Sequence, residues 1–188
     1  MADGFQTLVA DHRPLSLEEF FGMLDAGIIA EGERTELIEG ALSSMASEGE
    51  LHDEVLDRFT DLLAEVLGPA FRVRQRSPLN IPPATQLAPD VSVWDAAEPP
   101  PEKTAANARL ICEISRTTKA SDLGGKADRY AAAGVGEYWV LEPDTRRLTV
   151  FRGPGPDGWA HRNLAEADGV RPLCAPQALV KWTRAFPD

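Results

Sequence analysis

At 188 residues the chain fits a single compact domain, given roughly 100 to 200 residues per domain. Hydrophobic residues at 43% and charged residues at 26% match a folded globular protein and exclude a disordered tail or a collagen-like fibre. Asp and Glu total 30 against 19 Lys and Arg, a formal net charge of -11, which is the wrong sign for a surface built to bind a polyanion.

That charge is unevenly placed. Residues 31–67 hold 11 acids against Arg34 and Arg58. Residues 103–130 reverse the balance, with Lys103, Arg109, Arg116, Lys119, Lys126 and Arg129 against Glu113, Asp122 and Asp128. The chain therefore has two electrostatic halves. No apolar run reaches the roughly 18 residues of a membrane-spanning helix, and the N-terminus lacks a secretory leader pattern. A soluble, cytoplasmic protein with no membrane partner is expected. Cys112 and Cys174 lack metal-site or disulfide spacing and read as reduced, buried small hydrophobes.

In chain order, Ser16 with Glu19 three residues on forms a capping-box pattern ahead of Leu17, Phe20, Phe21 and Leu24, predicting a helix that stops at Gly27. Residues 36–45 read as two short strands turning near Gly40. Residues 51–67 repeat apolar positions at Val55, Phe59, Leu62, Leu63 and Val66, a second helix ended by Gly68 and Pro69. Residues 71–81 alternate at period two, with Arg72, Arg74 and Arg76 on one face.

Strands follow at residues 89–95 and 109–115, joined through the proline-rich tract 98–102, and then a helix at 121–133 closed by Gly134. Two further strands, 137–143 and 146–152, flank a turn at Asp144 and Thr145. After Gly153 the pattern weakens to a turn and strand-like pieces reaching Trp182. The predicted fold is α/β, a mixed central β-sheet flanked by helices. It is expected as one domain over residues 1–188, with a core at about 14–152 and a C-terminal extension at 153–188.

Asp90 and Glu113 are acids at the start and centre of strands otherwise made of Val, Ile, Leu and Cys. An ionised carboxylate in such surroundings is costly unless paired or bound to a cation. Two on neighbouring strands can hold a divalent metal with hard oxygen ligands. Lys126 lies one helical turn from both Asp122 and Tyr130, so the three form a stripe that can orient a nucleophile and offset phosphate charge. The same spacing also describes an exposed i, i+4 ion pair. Glu113 can equally be an edge-strand acid in water, and Asp90 a turn residue after Pro89.

ELIEG, His52, PDVSVW, CEIS and DLGGKADRYAAAGVGEYWVLEP together resemble the Uma-two family of restriction endonuclease domains, within the PD-(D/E)XK nuclease superfamily. The resemblance covers about residues 14–152 and implies a restriction-endonuclease-like core. It implies that Asp90 and Glu113 are metal ligands for Mg2+ or Mn2+, and that Glu36 extends the metal shell. Superfamily members usually carry Lys two residues after the second acid, where this chain has Ser115. The family's reading moves that role to Lys126, with Asp122 and Tyr130 supporting it. His52 matches a family histidine at the start of the second helix, where it is expected to contact phosphate or water, or to cap the helix.

The function implied is a Mg2+-dependent DNA endonuclease, with Arg72, Arg74, Arg76, Arg116 and Lys119 as candidate phosphate contacts. Analogy with nucleases that cut both strands adds a homodimer. The alternative is a non-catalytic binding or oligomerising module that keeps the fold, motivated by the charge of -11 and by Ser115. A two-carboxylate glycosidase is disfavoured because no aromatic sugar platform is evident.

Overall fold

A computed structural model describes residues 13–44, 49–97 and 103–187. The chain divides into two compact units, Met1–Ala46 with Asn80–Leu87, and Ser47–Leu79 with Ala88–Asp188.

In the smaller unit the capping box forms as expected. Ser16 Oγ accepts the Glu19 N–H at 3.2 Å, Glu19 Oε2 accepts the Ser16 N–H at 2.9 Å, and helix α1 runs Leu17–Asp25. Thr35–Ile38 (β1) and Ala41–Ser44 (β2) pair antiparallel. They turn through Gly40, whose φ is +81° and where a Cβ would meet Pro14 Cβ at 2.4 Å, so only glycine fits. Leu79–Ile81 (β4) and Thr85–Leu87 (β5) complete a four-stranded sheet ordered β2-β1-β5-β4. Phe20, Ile29 and Leu37 form its apolar centre.

The larger unit is built on a six-stranded sheet ordered β10-β9-β8-β7-β6-β3. Its strands are Phe71–Gln75 (β3), Val91–Asp95 (β6), Leu110–Ile114 (β7), Glu137–Glu142 (β8), Arg147–Gly155 (β9) and Gly158–Leu164 (β10). Only β7 and β8 run parallel; the other pairs are antiparallel, so the sheet is mixed, as expected.

Strand alternation sorts this sheet into two faces. Val91, Val93, Leu110, Cys112, Ile114, Trp139, Leu141, Leu148 and Val150 form one, packed in a single cluster with Val55, Phe59, Leu62 and Leu63 of helix α2 (Glu50–Leu67). Residues read as a C-terminal extension belong to that core: Ala175, Val180, Trp182, Ala185 and Phe186 join the cluster. Both cysteines are free; Cys112 is buried as expected, whereas Cys174 is only partly buried, and burial pushes the Cys112 thiol well up and Cys174 up to about 11.

The opposite face carries Asp90, Ser92, Trp94, Glu113, Ser115, Tyr138 and, across from Trp94 and Ser92, Arg72 and Arg74. Here an aromatic group formed by Tyr130, Tyr138, Phe151 and Trp159 seats two short helices, α3 (Lys119–Asp122) and α4 (Gly125–Ala132). The Trp159 indole N–H donates to Ala127 O at 2.8 Å, tying α4 to β10.

Three elements differ from expectation. The predicted strand at 71–81 breaks at Arg76, whose φ of +44° turns the chain before Pro78, so β3 and β4 enter different sheets. The predicted helix at 121–133 is two helices, interrupted at Gly124, where residues without a Cβ weaken helical continuity. The weak pattern after Gly153 hides a β9–β10 hairpin turning through Pro156 and Asp157, with Gly155 opposite Gly158. Met45 and the tract 98–102 lie outside the described residues.

Phe59 is fully buried with its ring centroid 6.4 Å from that of Trp139. Phe59→Ala should lower unfolding free energy by about 3–5 kcal/mol in a urea titration, and a loss below about 1 kcal/mol would show that α2 does not anchor this core.

Candidate active site

Antiparallel pairing of β6 with β7 sets Val91 opposite Cys112, which brings Asp90, one residue ahead of β6, beside Glu113. The Asp90 backbone N–H donates to Glu113 Oε2 at 3.2 Å, and the Ile114 N–H donates to Asp90 Oδ2 at 2.8 Å. Both acids are buried, Glu113 to 3% exposure. Neither is a solvated edge or turn residue.

Lys126 and Tyr130 stand four residues apart on α4 and point to one acceptor. Lys126 Nζ lies 3.3 Å from Glu113 Oε1, and the Tyr130 hydroxyl donates to the same oxygen at 3.3 Å. Lys126 is 7% exposed, so the exposed-ion-pair reading does not hold. Asp122 sits on α3, held by the Thr118 hydroxyl at 2.5 Å, while its main-chain carbonyl accepts from the Tyr138 hydroxyl at 2.9 Å. Ser115, two residues after Glu113, is buried near Asp122.

His52 is fully buried in the first turn of α2. Its Nε2 lies 3.1 Å from Asp90 Oδ2 and its Nδ1 lies 3.4 Å from Asp53 Oδ1. Asp53 is paired to the Arg76 guanidinium, which, with His52, holds its carboxyl below the usual range. Asp53 was not legible as a site residue, since it is one acid among many in an acidic segment.

The cations divide into two groups. Arg76 pairs with Asp53, Arg116 with Asp144 at 3.2 Å, and Lys119 with the buried Glu142. Arg72 and Arg74, on the same sheet face as the two acids, have no hydrogen bond or ion pair among the described residues. Glu36 is buried on β1 in the smaller unit, opposite Ser43. Among the described residues no group of three or more His, Cys, Asp or Glu side chains is arranged to hold a metal ion.

Burial pushes Asp122 above the ordinary carboxyl value of 3.8, with the Thr118 hydroxyl, the Lys126 charge and the nearby Ser115 offsetting part of that rise. A folded-state value above the unfolded one means that the contribution of Asp122 to stability is fully present below 3.8 and is lost as pH rises through the folded value. Asp122→Asn should therefore lose less stability than the wild type between about pH 4 and about pH 7. Urea unfolding at both ends of that window measures it, and equal losses in the two proteins would contradict it.

Among described residues no helix is long and apolar enough to cross a membrane. No curated protein matches the chain. A putative nuclease belonging to DUF820 from Anabaena variabilis ATCC 29413, solved by crystallography at 1.96 Å, shares the fold with a TM-score of 0.71. It is 19% identical, over 92% of this chain and 98% of that one. The model of the Uma2 family, described as "Putative restriction endonuclease", matches residues 17–183. Spanning most of the sequence and agreeing with the shared fold, that match makes the chain a member of the Uma2 family.

Proposed function

We propose that the protein is a metal-dependent nuclease of the PD-(D/E)XK type that hydrolyses phosphodiester bonds in DNA. The observation that carries this reading is the contact of Lys126 Nζ with Glu113 Oε1 at 3.3 Å, alongside the Asp90 N–H on Glu113 Oε2. Two acids and a lysine from three separate segments meet in one buried cluster, although the lysine comes from a helix rather than from position 115. A non-catalytic relative would not need Lys126 within reach of either acid, whereas hydrolysis requires near-contact geometry.

The donor chemistry fits a hard divalent cation. Mg2+ is usually bound through one or two carboxylates, with water and phosphate oxygens completing its shell. Asp90 uses Oδ2 for both its side-chain contacts, leaving Oδ1 without a partner among the described residues. Asp90 and Glu113 would hold the ion, Mg2+ or Mn2+, which supplies Lewis acidity toward a phosphoryl oxygen and a more acidic bound water.

The chain's own groups do the rest. Tyr130 and Lys126 fix the Glu113 carboxylate, and the Lys126 ammonium offsets negative charge building on a phosphate. Arg72 and Arg74, whose charges no acid neutralises among the described residues, make the phosphate track on the face that bears Asp90 and Glu113. Arg76, Arg116 and Lys119 are already paired with acids and contribute less.

Asp90→Ala, Glu113→Ala or EDTA treatment should abolish cleavage of plasmid DNA, and Lys126→Met should slow it by about 10²–10³-fold. Cleavage retained in both alanine variants, with contaminating nuclease excluded, would remove the assignment. Arg72→Ala and Arg74→Ala should each weaken DNA binding across sequences and reduce the slope of log affinity against log salt by about 0.9. An unchanged slope in the double variant would place the DNA elsewhere.

A further inference from the structure

Asp90 lies on a closed circuit of contacts that begins and ends at this residue. Its main-chain carbonyl accepts the Arg76 N–H at 2.9 Å. The Arg76 guanidinium pairs with Asp53. Asp53 Oδ1 lies 3.4 Å from His52 Nδ1, and His52 Nε2 lies 3.1 Å from Asp90 Oδ2. The end of β3, the first turn of α2 and the entry to β6 are thereby linked by a chain of polar contacts in addition to their apolar packing.

Two features single this circuit out from ordinary surface pairing. Arg76 has a φ of +44°, in the left-handed region that non-glycine residues seldom occupy. That turn ends β3 while the Arg76 N–H still bonds to Asp90. His52 is fully buried, and one of its two ring nitrogens is spent on the carboxylate that the nuclease reading assigns to the metal. A side chain held in this way acts on the orientation of the carboxylate it contacts.

We propose that Asp53 and Arg76 are positioning residues for Asp90 acting through His52, the circuit fixing the Asp90 carboxylate with Oδ2 engaged and Oδ1 turned to the metal. This rests on the reading of Asp90 as a metal-holding carboxylate. Partners that orient a ligand in this manner typically govern metal affinity by about 10–100-fold. Arg76 thus leaves the group of phosphate contacts and joins the metal-supporting residues.

The test is a Mn2+ titration of the full chain without nucleic acid, following free Mn2+ by electron paramagnetic resonance, with melting temperatures recorded in EDTA. Asp90→Ala should lose binding, and His52→Ala should weaken it about 10–100-fold. Asp53→Asn and Arg76→Gln should each weaken it several-fold, and the double variant no further than Asp53→Asn alone, because members of one chain of contacts are not additive. Asp53 is largely exposed, so Asp53→Asn and Arg76→Gln should melt in EDTA like the wild type, which separates positioning from folding. His52→Gln, which keeps a polar nitrogen, should retain more affinity than His52→Ala and substitutes for it if the alanine variant does not fold. Wild-type Mn2+ affinity in both Asp53→Asn and Arg76→Gln, with binding lost in Asp90→Ala, overturns the circuit and leaves the metal reading intact. Wild-type affinity in Asp90→Ala overturns both.

Discussion

The larger unit is organised around one electrostatic constraint, the removal of the Glu113 carboxylate from water. An ionised group in the middle of a sheet strand is tolerable only when hydrogen bonds and opposite charge replace its hydration. Here the Asp90 N–H serves one oxygen and Lys126 with Tyr130 the other. Each donor comes from a different element, so β6, β7 and α4 must all be in place before the charge is compensated. That requirement explains why the sheet face bearing the acids is roofed by a short helix rather than left open.

The break between α3 and α4 follows from the same demand. A continuous helix would carry Asp122, Lys126 and Tyr130 along one straight stripe. The interruption at Gly124 lets α4 aim Lys126 and Tyr130 at Glu113, while the Asp122 main chain is held by the Tyr138 hydroxyl. The aromatic contacts of Tyr138 with Tyr130, Phe151 and Trp159 secure that seating without further polar groups.

Electrostatics outside the cluster resolve the tension posed by the net charge of -11. Acids do not simply outnumber bases; several neutralise particular cations, as Asp53, Asp144 and Glu142 do for Arg76, Arg116 and Lys119. On the sheet face that bears Asp90 and Glu113, Arg72 and Arg74 have no acid partner among the described residues, so positive charge is left there even though the chain as a whole is acidic.

Much was legible in the sequence because it is encoded by local periodicity and local chemistry. The capping box of α1, the apolar stripe of α2 and the alternation of the central strands all depend on near neighbours in the chain, while the order of Asp90, Glu113 and Lys126 was legible through the family resemblance. Family resemblance added the roles expected of those residues. What the tertiary structure alone decided are the contacts between distant segments. The burial of His52 against Asp90, the pairing of Asp53 with Arg76, the second sheet and the incorporation of Trp182 and Phe186 into the core leave no periodic trace. Spacing constrains which side chains share a face, but only the pairing of β6 with β7 and the seating of α4 determine which of them meet.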